Sequence, residues 1–182
     1  MSVIFSKTDH PGAVITAFEP DPDLFAALAR NMRVFGFLDV QLEQKAVWTH
    51  DGTLAFSPEG GHSGRIAEAG ADRVVTVRAA RLRDLLTEQV DFLKIDVEGV
   101  ELDLLRDCRE NLANVDKLFV EYHSRIDQPQ TLDLLLRLLS DAGFRYDIKQ
   151  EFGSPHPFVE TRNQVGFDLQ LSVSCYRRPV SG

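Results

Sequence analysis

The side chains in this sequence that can do chemistry gather in two short stretches. Asp91-Phe-Leu-Lys-Ile-Asp-Val-Glu-Gly-Val-Glu101 carries Asp96, Glu98 and Glu101, and Lys117-Leu-Phe-Val-Glu-Tyr-His123 carries Glu121 and His123. Residues two apart in an extended chain project to one side, so Asp96 and Glu98 share a face, as do Glu121 and His123. If the two stretches are parallel neighbouring strands, these four side chains converge on one crevice. A lone histidine is more often structural than catalytic, but one at a strand tip beside carboxylates is a candidate general base, as is Asp96. The same oxygen-rich group would suit magnesium, although no metal is assigned. A further acid, Glu19, stands at the tip of Ala13-Val-Ile-Thr-Ala-Phe18. A carboxylate there can accept hydrogen bonds from both hydroxyls of a ribose, or simply end a strand in solvent.

The elements that must position these groups read as alternating strands and helices. Phe92, Leu93, Ile95 and Val97 form the short apolar run of an interior parallel strand covered on both faces. Gly99 lets the chain turn, and Val100, Leu104, Cys108 and Leu112 then recur at helical spacing, which starts a helix near Gly99 with Glu101 in its first turn. Glu98 and Glu101 there also complement the helix dipole. In an open α/β sheet, ligands bind at such a place outside the carboxyl end of a strand. Upstream, Ala13 to Phe18 reads as a buried strand. Asp21 caps a helix whose first residue is Pro22, whose apolar face is Phe25, Leu28, Ala29, Met32 and Phe35, and which Gly36 closes. Phe37 to Trp48 holds another strand, ending in Ala46-Val-Trp48, and His50-Asp-Gly52 is a hairpin turn into Thr53 to Phe56. Residues 57–72, with six turn formers between Ser57 and Gly64, read as a mobile surface loop with His62 and Arg65, either a lid or disordered. Val74 to Val77 is a short strand, and Leu82, Leu85 and Leu86 mark a helical turn.

Lys117 to His123 is a further buried strand. Gln130 to Ala142 is a helix closed by Gly143, in which Leu134 and Leu138 widen the apolar stripe, to meet either the core or a partner subunit. Phe144 to Phe152 and Gly166 to Tyr176 are the last two strands, and the alternation of Phe167, Leu169, Leu171, Val173 and Cys175 with polar residues suits an antiparallel edge strand. Residues 153–164 form a second loop able to cover a site.

Composition narrows the class. The 182 residues, 43% hydrophobic and 26% charged, read as a single domain, 1–182, with a sizeable core. A net charge of -8 with no basic run argues against a non-specific nucleic-acid or anionic-membrane binder. Cys108 and Cys175 match no ligand spacing and read as small buried hydrophobes. With no apolar run of membrane-spanning length and no secretory leader, the expected location is cytoplasmic.

Ala17-Phe-Glu-Pro-Asp-Pro22, Asn31, the Asp91 to Glu101 stretch and Glu121-Tyr-His123 together resemble the FkbM-type methyltransferases, in register from Gly12 to Phe144. The resemblance implies a class I, S-adenosylmethionine-dependent α/β fold. Its Rossmann-like doubly wound sheet has the order 3-2-1-4-5-7-6 and is mostly parallel with an antiparallel C-terminal strand. It also implies O-methylation of a hydroxyl on a small molecule or sugar. By residue match, Glu19 and Pro20 would meet the cofactor ribose, Ala46 and Val47 would lie near the adenine, and Asp96 would sit close to the methionine end and the acceptor. Family members begin with a strand and an Asp-x-Gly-x-Asn-x-Gly loop, whereas Ser2 to Pro11 here matches only the tail of the first helix. The first strand and most of the first helix, about 20 to 30 residues of a βαβ unit, are missing from the match. Three explanations are open: a gene start placed too late, a remnant whose Glu19 and Asp96 strands pair directly, or a homodimer that fills the gap in trans. The corresponding alternative function is a catalytically inactive remnant that acts as an interaction module. A nicotinamide-dependent oxidoreductase would also want Glu19, but no Gly-x-Gly-x-x-Gly turn precedes that strand.

Overall fold

The computed structural model of the chain describes residues 2–59, 63–66 and 74–177. The chain forms two compact units that meet in sequence at Arg81. In the first, α1 (Ser2–Asp9) precedes β1 (Thr16–Phe18), α2 (Pro22–Phe35) and β2 (Gln41–Glu43). The start of α2 is set by Asp21, whose Oδ1 accepts the backbone N–H groups of Asp23 and Leu24 at 2.8 and 3.1 Å, and by Pro22, which has no N–H to leave unsatisfied. Gly36 ends the helix at φ 74°, a left-handed conformation that costs glycine little. β1 pairs with β2 in parallel, Thr16 opposite Gln41. β1 is three residues long, and Val14 is almost wholly exposed. The apolar run from Ala13 is therefore not the buried six-residue strand that its composition suggests.

The remainder of this unit departs further from the sequence reading. β3 (Ala46–Trp48) is not a continuation of β2 but belongs to a second sheet with β4 (Gly52–Glu59), β5 (Ser63–Ile66) and β6 (Val75–Arg81), in the order β3-β6-β4-β5. β3 pairs with β6 in parallel, and β6 lies between β3 and β4, so the turn at His50 to Gly52 does not join hairpin partners. The expected loop over 57–72 is in part a hairpin, because β4 runs on to Glu59 and pairs antiparallel with β5. His62 lies outside the described residues. Ala46, Phe56 and Val77, with Leu54 and Val75 against them, form the core of this sheet.

The second unit carries α3 (Leu82–Leu85), β7 (Val90–Ile95), α4 (Glu101–Asp107), a 3-10 turn (Asn111–Asn114), β8 (Val115–Arg125), α5 (Leu132–Asp141), β9 (Arg145–Phe152) and β10 (Phe167–Tyr176). Its sheet order is β7-β8-β10-β9: β7 and β8 are parallel, and β10 is antiparallel to both β8 and β9. This reproduces the 4-5-7-6 portion of the expected order, as β2 beside β1 reproduces 3-2. Two strand positions differ from expectation. β10 is interior and β9 takes the edge; β7, read as covered on both faces, is the other edge of its sheet, with Phe92 52% exposed. The core is built on the faces of β8 and β10 by Leu118, Val120 and Val173, with Leu104 and Leu105 from α4 and Leu135 and Leu139 from α5, all essentially inaccessible. Each such aliphatic side chain contributes about 1.5–3 kcal/mol on burial. Leu138 is buried as well, whereas Leu134 stays exposed. Arg177 ties the end of β10 to the helical layer: its guanidinium donates to the carbonyls of Val115, Ala142 and Leu112 at 3.0, 2.8 and 2.7 Å and lies over the Phe144 ring. Among the described residues Cys108 and Cys175 are buried and form no disulfide, and burial pushes the Cys175 thiol up to about 12. Among the described residues, no helix is long and apolar enough to cross a membrane.

Candidate active site

The chemical groups of the second unit come together where β7 ends. The β7–β8 register sets Lys94 opposite Phe119 and Ile95 opposite Val120, so the next residues, Asp96 and Glu121, fall side by side. The chain then turns through two left-handed residues, Glu98 at φ 55° and Gly99 at φ 100°. The second suits glycine. The first is uncommon for a residue with a Cβ and stores strain of about 1–3 kcal/mol. The helix follows directly, beginning at Glu101 with Val100 as its N-cap and no side-chain cap bond, so Glu101 lies in its first turn as expected.

Glu101 does not act as a solvent-facing acid at the helix dipole. It is 1% exposed. Its Oε1 accepts the Gly99 N–H at 2.9 Å and lies 2.9 Å from Nδ1 of His123. His123, 6% exposed, has its other nitrogen, Nε2, 3.6 Å from Oε2 of Glu98, and the Phe167 ring packs against it with centroids 5.0 Å apart. A carboxylate, an imidazole and a second carboxylate thus lie in a row. Beside them, Lys94 Nζ bonds Asp96 at 2.6 Å and approaches Glu121 at 3.7 Å, while the Gln170 amide donates to Glu121. Asp96, Glu98 and His123 offer three atoms within 4.8 Å of one another, a donor set that can also hold a hard divalent cation.

The charges are mutually dependent. Burial pushes the Glu98 carboxyl above its ordinary value; His123 opposes this, and Asp96, Glu101 and Glu121 reinforce it. Burial likewise raises Glu121, helped by the charge of Asp96 and a hydrogen bond with it, against Lys94 and Gln170. For His123 burial disfavours the imidazolium, yet the hydrogen bond to Glu101 and the charges of Glu101, Glu98 and Asp96 together outweigh it, so the ring titrates above 6.5.

The sequence-derived residues are therefore divided between the units. Asp96 and His123 meet in the second, with Glu98 and Glu121, as expected if β7 and β8 are parallel neighbours. Glu19, Pro20, Ala46 and Val47 lie in the first. Glu19 Oε1 accepts the Asp21 N–H at 2.9 Å, which leaves Oε2 without a hydrogen-bond partner among the described residues. Burial raises the Glu19 carboxyl, the Asp21 N–H lowers it and the Asp21 charge raises it. Pro20 lines a cavity of about 220 Å³ with Pro22, Gln44, Thr76 and Arg78. An available carboxylate oxygen fits a ribose diol. Ala46 is buried in the core and Val47 is half-buried. Sequence reasoning missed the role of Glu101, because a glutamate in the first turn of a helix is ordinarily a solvated acid. The available signal was the Glu-Gly-x-Glu spacing, which lets a side chain fold back over the glycine.

A family model described as the methyltransferase FkbM domain matches residues 2–146. The chain belongs to the FkbM methyltransferase family. It is 29% identical over 182 aligned positions to Methyltransferase 1 of Beauveria bassiana, covering 85% of this chain and 72% of that protein. It is 26% identical to the hexuronic acid methyltransferase AglP of Haloferax volcanii, over 84% of this chain and 63% of the relative. It is 28% identical to the 2-O-methyltransferase NoeI of Sinorhizobium fredii, over 62% and 55%. In fold it resembles the precorrin-6y C5,15-methyltransferase of Geobacter metallireducens, with a TM-score of 0.52 and 15% identity over 97% of this chain and 73% of that one. The FkbM chain thus has the class I methyltransferase fold, a mixed α/β arrangement with an antiparallel strand, β10, near its C-terminus.

Proposed function

We propose that this FkbM-family chain is an S-adenosylmethionine-dependent methyltransferase that methylates a hydroxyl of a sugar or a similar small molecule. The observation that carries the reading is the buried His123, flanked by Glu101 and Glu98 at the carboxyl ends of two parallel strands. S-adenosylmethionine, when bound, supplies an electrophilic methyl carbon. The residues of the chain hold an acceptor oxygen in line and take its proton as it attacks. His123, in its neutral form, offers Nε2 as the base, and Asp96 is the second candidate. Glu19 is the residue that would accept the ribose hydroxyls, with Pro20 beside it, and Ala46 and Val47 are assigned to the adenine. A sugar acceptor is favoured by the name of one relative, a hexuronic acid methyltransferase, and transfer to oxygen by that of another, a 2-O-methyltransferase.

The test is calorimetric titration of the full chain with S-adenosylhomocysteine, after a cooperative thermal transition has shown that it is folded. Micromolar binding is expected. With binding established, turnover of a panel of uronic acid and neutral sugar glycosides is read by mass increase. His123→Ala is expected to lower it by about 10²–10⁴, and Asp96→Asn to lower it less. A folded chain with no affinity for S-adenosylhomocysteine would overturn the reading in favour of a non-catalytic interaction module.

A further inference from the structure

Glu101 has no role as a helix cap. We propose that it is the positioning residue of this site: it holds the proton of neutral His123 on Nδ1, so that the lone pair presented to an acceptor hydroxyl is the one on Nε2. The inference rests on the reading of His123 as the base.

The geometry carries it. Glu101 Oε1 lies 2.9 Å from His123 Nδ1 and 2.9 Å from the Gly99 nitrogen. A backbone N–H can only donate and an ionised carboxylate can only accept, so the bond to the ring is made by an Nδ1–H. Which nitrogen of an imidazole carries the proton is set by the hydrogen bond the other one makes. Burial makes the arrangement exclusive, since the side chains of Glu101 and His123 are 2% and 3% exposed and water cannot take the carboxylate's place. Phe167 against the ring restricts its rotation, and Nε2 faces Glu98 and, with it, Asp96.

The same oxygen secures the backbone. Glu98 and Gly99 both adopt positive φ, and the Gly99 N–H they present inward ends on Glu101. Removing the carboxylate would therefore free the ring and loosen the turn that carries Glu98. A buried carboxylate is costly to desolvate and is ill suited to mere packing. Two hydrogen bonds onto one oxygen give it a reason to be there.

The experiment is nitrogen NMR on the full chain labelled with 15N-histidine. EDTA is present, the pH is alkaline so that the ring is neutral, and His123 is assigned by the resonance lost in His123→Ala. The expected wild-type spectrum has a proton on Nδ1 and a pyridine-like Nε2. Glu101→Leu, checked for a cooperative thermal transition, is expected to lose the Nδ1–H form as the sole species, and Glu101→Gln, which keeps an acceptor oxygen, to restore it. A wild-type ring protonated on Nε2 overturns the proposal without any variant, as does a folded Glu101→Leu chain that still holds the proton on Nδ1. Neither measurement uses cofactor or acceptor, so the positioning role fails on these spectra alone, whereas the base role fails on the turnover of His123→Ala.

Discussion

His123 is held between a burial that favours the neutral ring and three carboxylates that favour the charged one, and the carboxylates prevail. The consequence for stability has a definite sign. A histidine whose folded pKa lies above 6.5 contributes stability that is complete below 6.5 and is lost as the pH rises through the folded value. Glu98 and Glu121, raised by burial, act in the same direction: the native state keeps their protons longer than the unfolded chain does, so stability falls as the pH climbs from 4.5. A base must be neutral to accept a proton, so on the acid limb turnover should rise about tenfold per pH unit while the stabilising effect of the cluster declines. Glu98→Gln removes one of the charges that raise His123. Its imidazole should titrate at lower pH than in the wild type, and the acid limb of the rate profile should move with it. Asp96, Glu101, Glu121 and Lys94 stay in place, so the shift is partial. A His123 titration unchanged by Glu98→Gln, followed by NMR, would show that the 3.6 Å approach carries no electrostatic weight.

The turn between β7 and α4 does the positioning, and its cost is conformational. At Gly99, φ is 100°, and a Cβ there would lie 3.5 Å from the Phe167 ring and 3.6 Å from Arg125, an ordinary contact distance. Space is therefore available, and Gly99→Ala should cost about 1–2 kcal/mol through backbone strain alone. It should also pull the Gly99 N–H away from Glu101, so that turnover falls more than stability does. Urea midpoints and initial rates check both; a Gly99→Ala chain as stable and active as the wild type would mean that the turn is not under strain. The glycine and the acids around it were legible in the sequence, as were the caps of α2, because these depend on local residue types; the pairing of β7 with β8 entered only as a condition and through the family resemblance. Other features were not legible, because alternation says only that one face of a strand is covered. β10 alternates whether it stands at an edge or between β8 and β9, and only the pairing decides. The turn formers around Pro58 and Gly64 looked like a loop, yet they pair across β4 and β5 by backbone bonds that composition does not encode. Glu101 was hidden for the same reason: its partner is 22 residues away.

The family model runs from residue 2 to residue 146 and so crosses both compact units, while the candidate cofactor acid and the candidate base belong to different ones. In a chain that unfolds cooperatively, binding of S-adenosylhomocysteine is felt in both, and the chain has a built-in means of asking. Its one tryptophan, Trp48, lies in β3 of the first unit. The second unit has its own reporter in the amides of β8, whose Val115, Leu118 and Val120 are inaccessible. A ligand that binds only the native state stabilises it by RT ln(1 + [L]/Kd), about 2.7 kcal/mol at a hundredfold excess over Kd. For a chain of this size that is a rise in Tm of about 5–10 °C. The Trp48 fluorescence transition and hydrogen exchange in β8 should both shift by an amount consistent with that energy. Glu19→Ala should reduce the shift at both probes, because linkage acts on the whole cooperative structure and not only on the contacted residue. If Trp48 responds and β8 does not, the ligand stabilises the first unit alone, and the two units do not unfold as one cooperative structure.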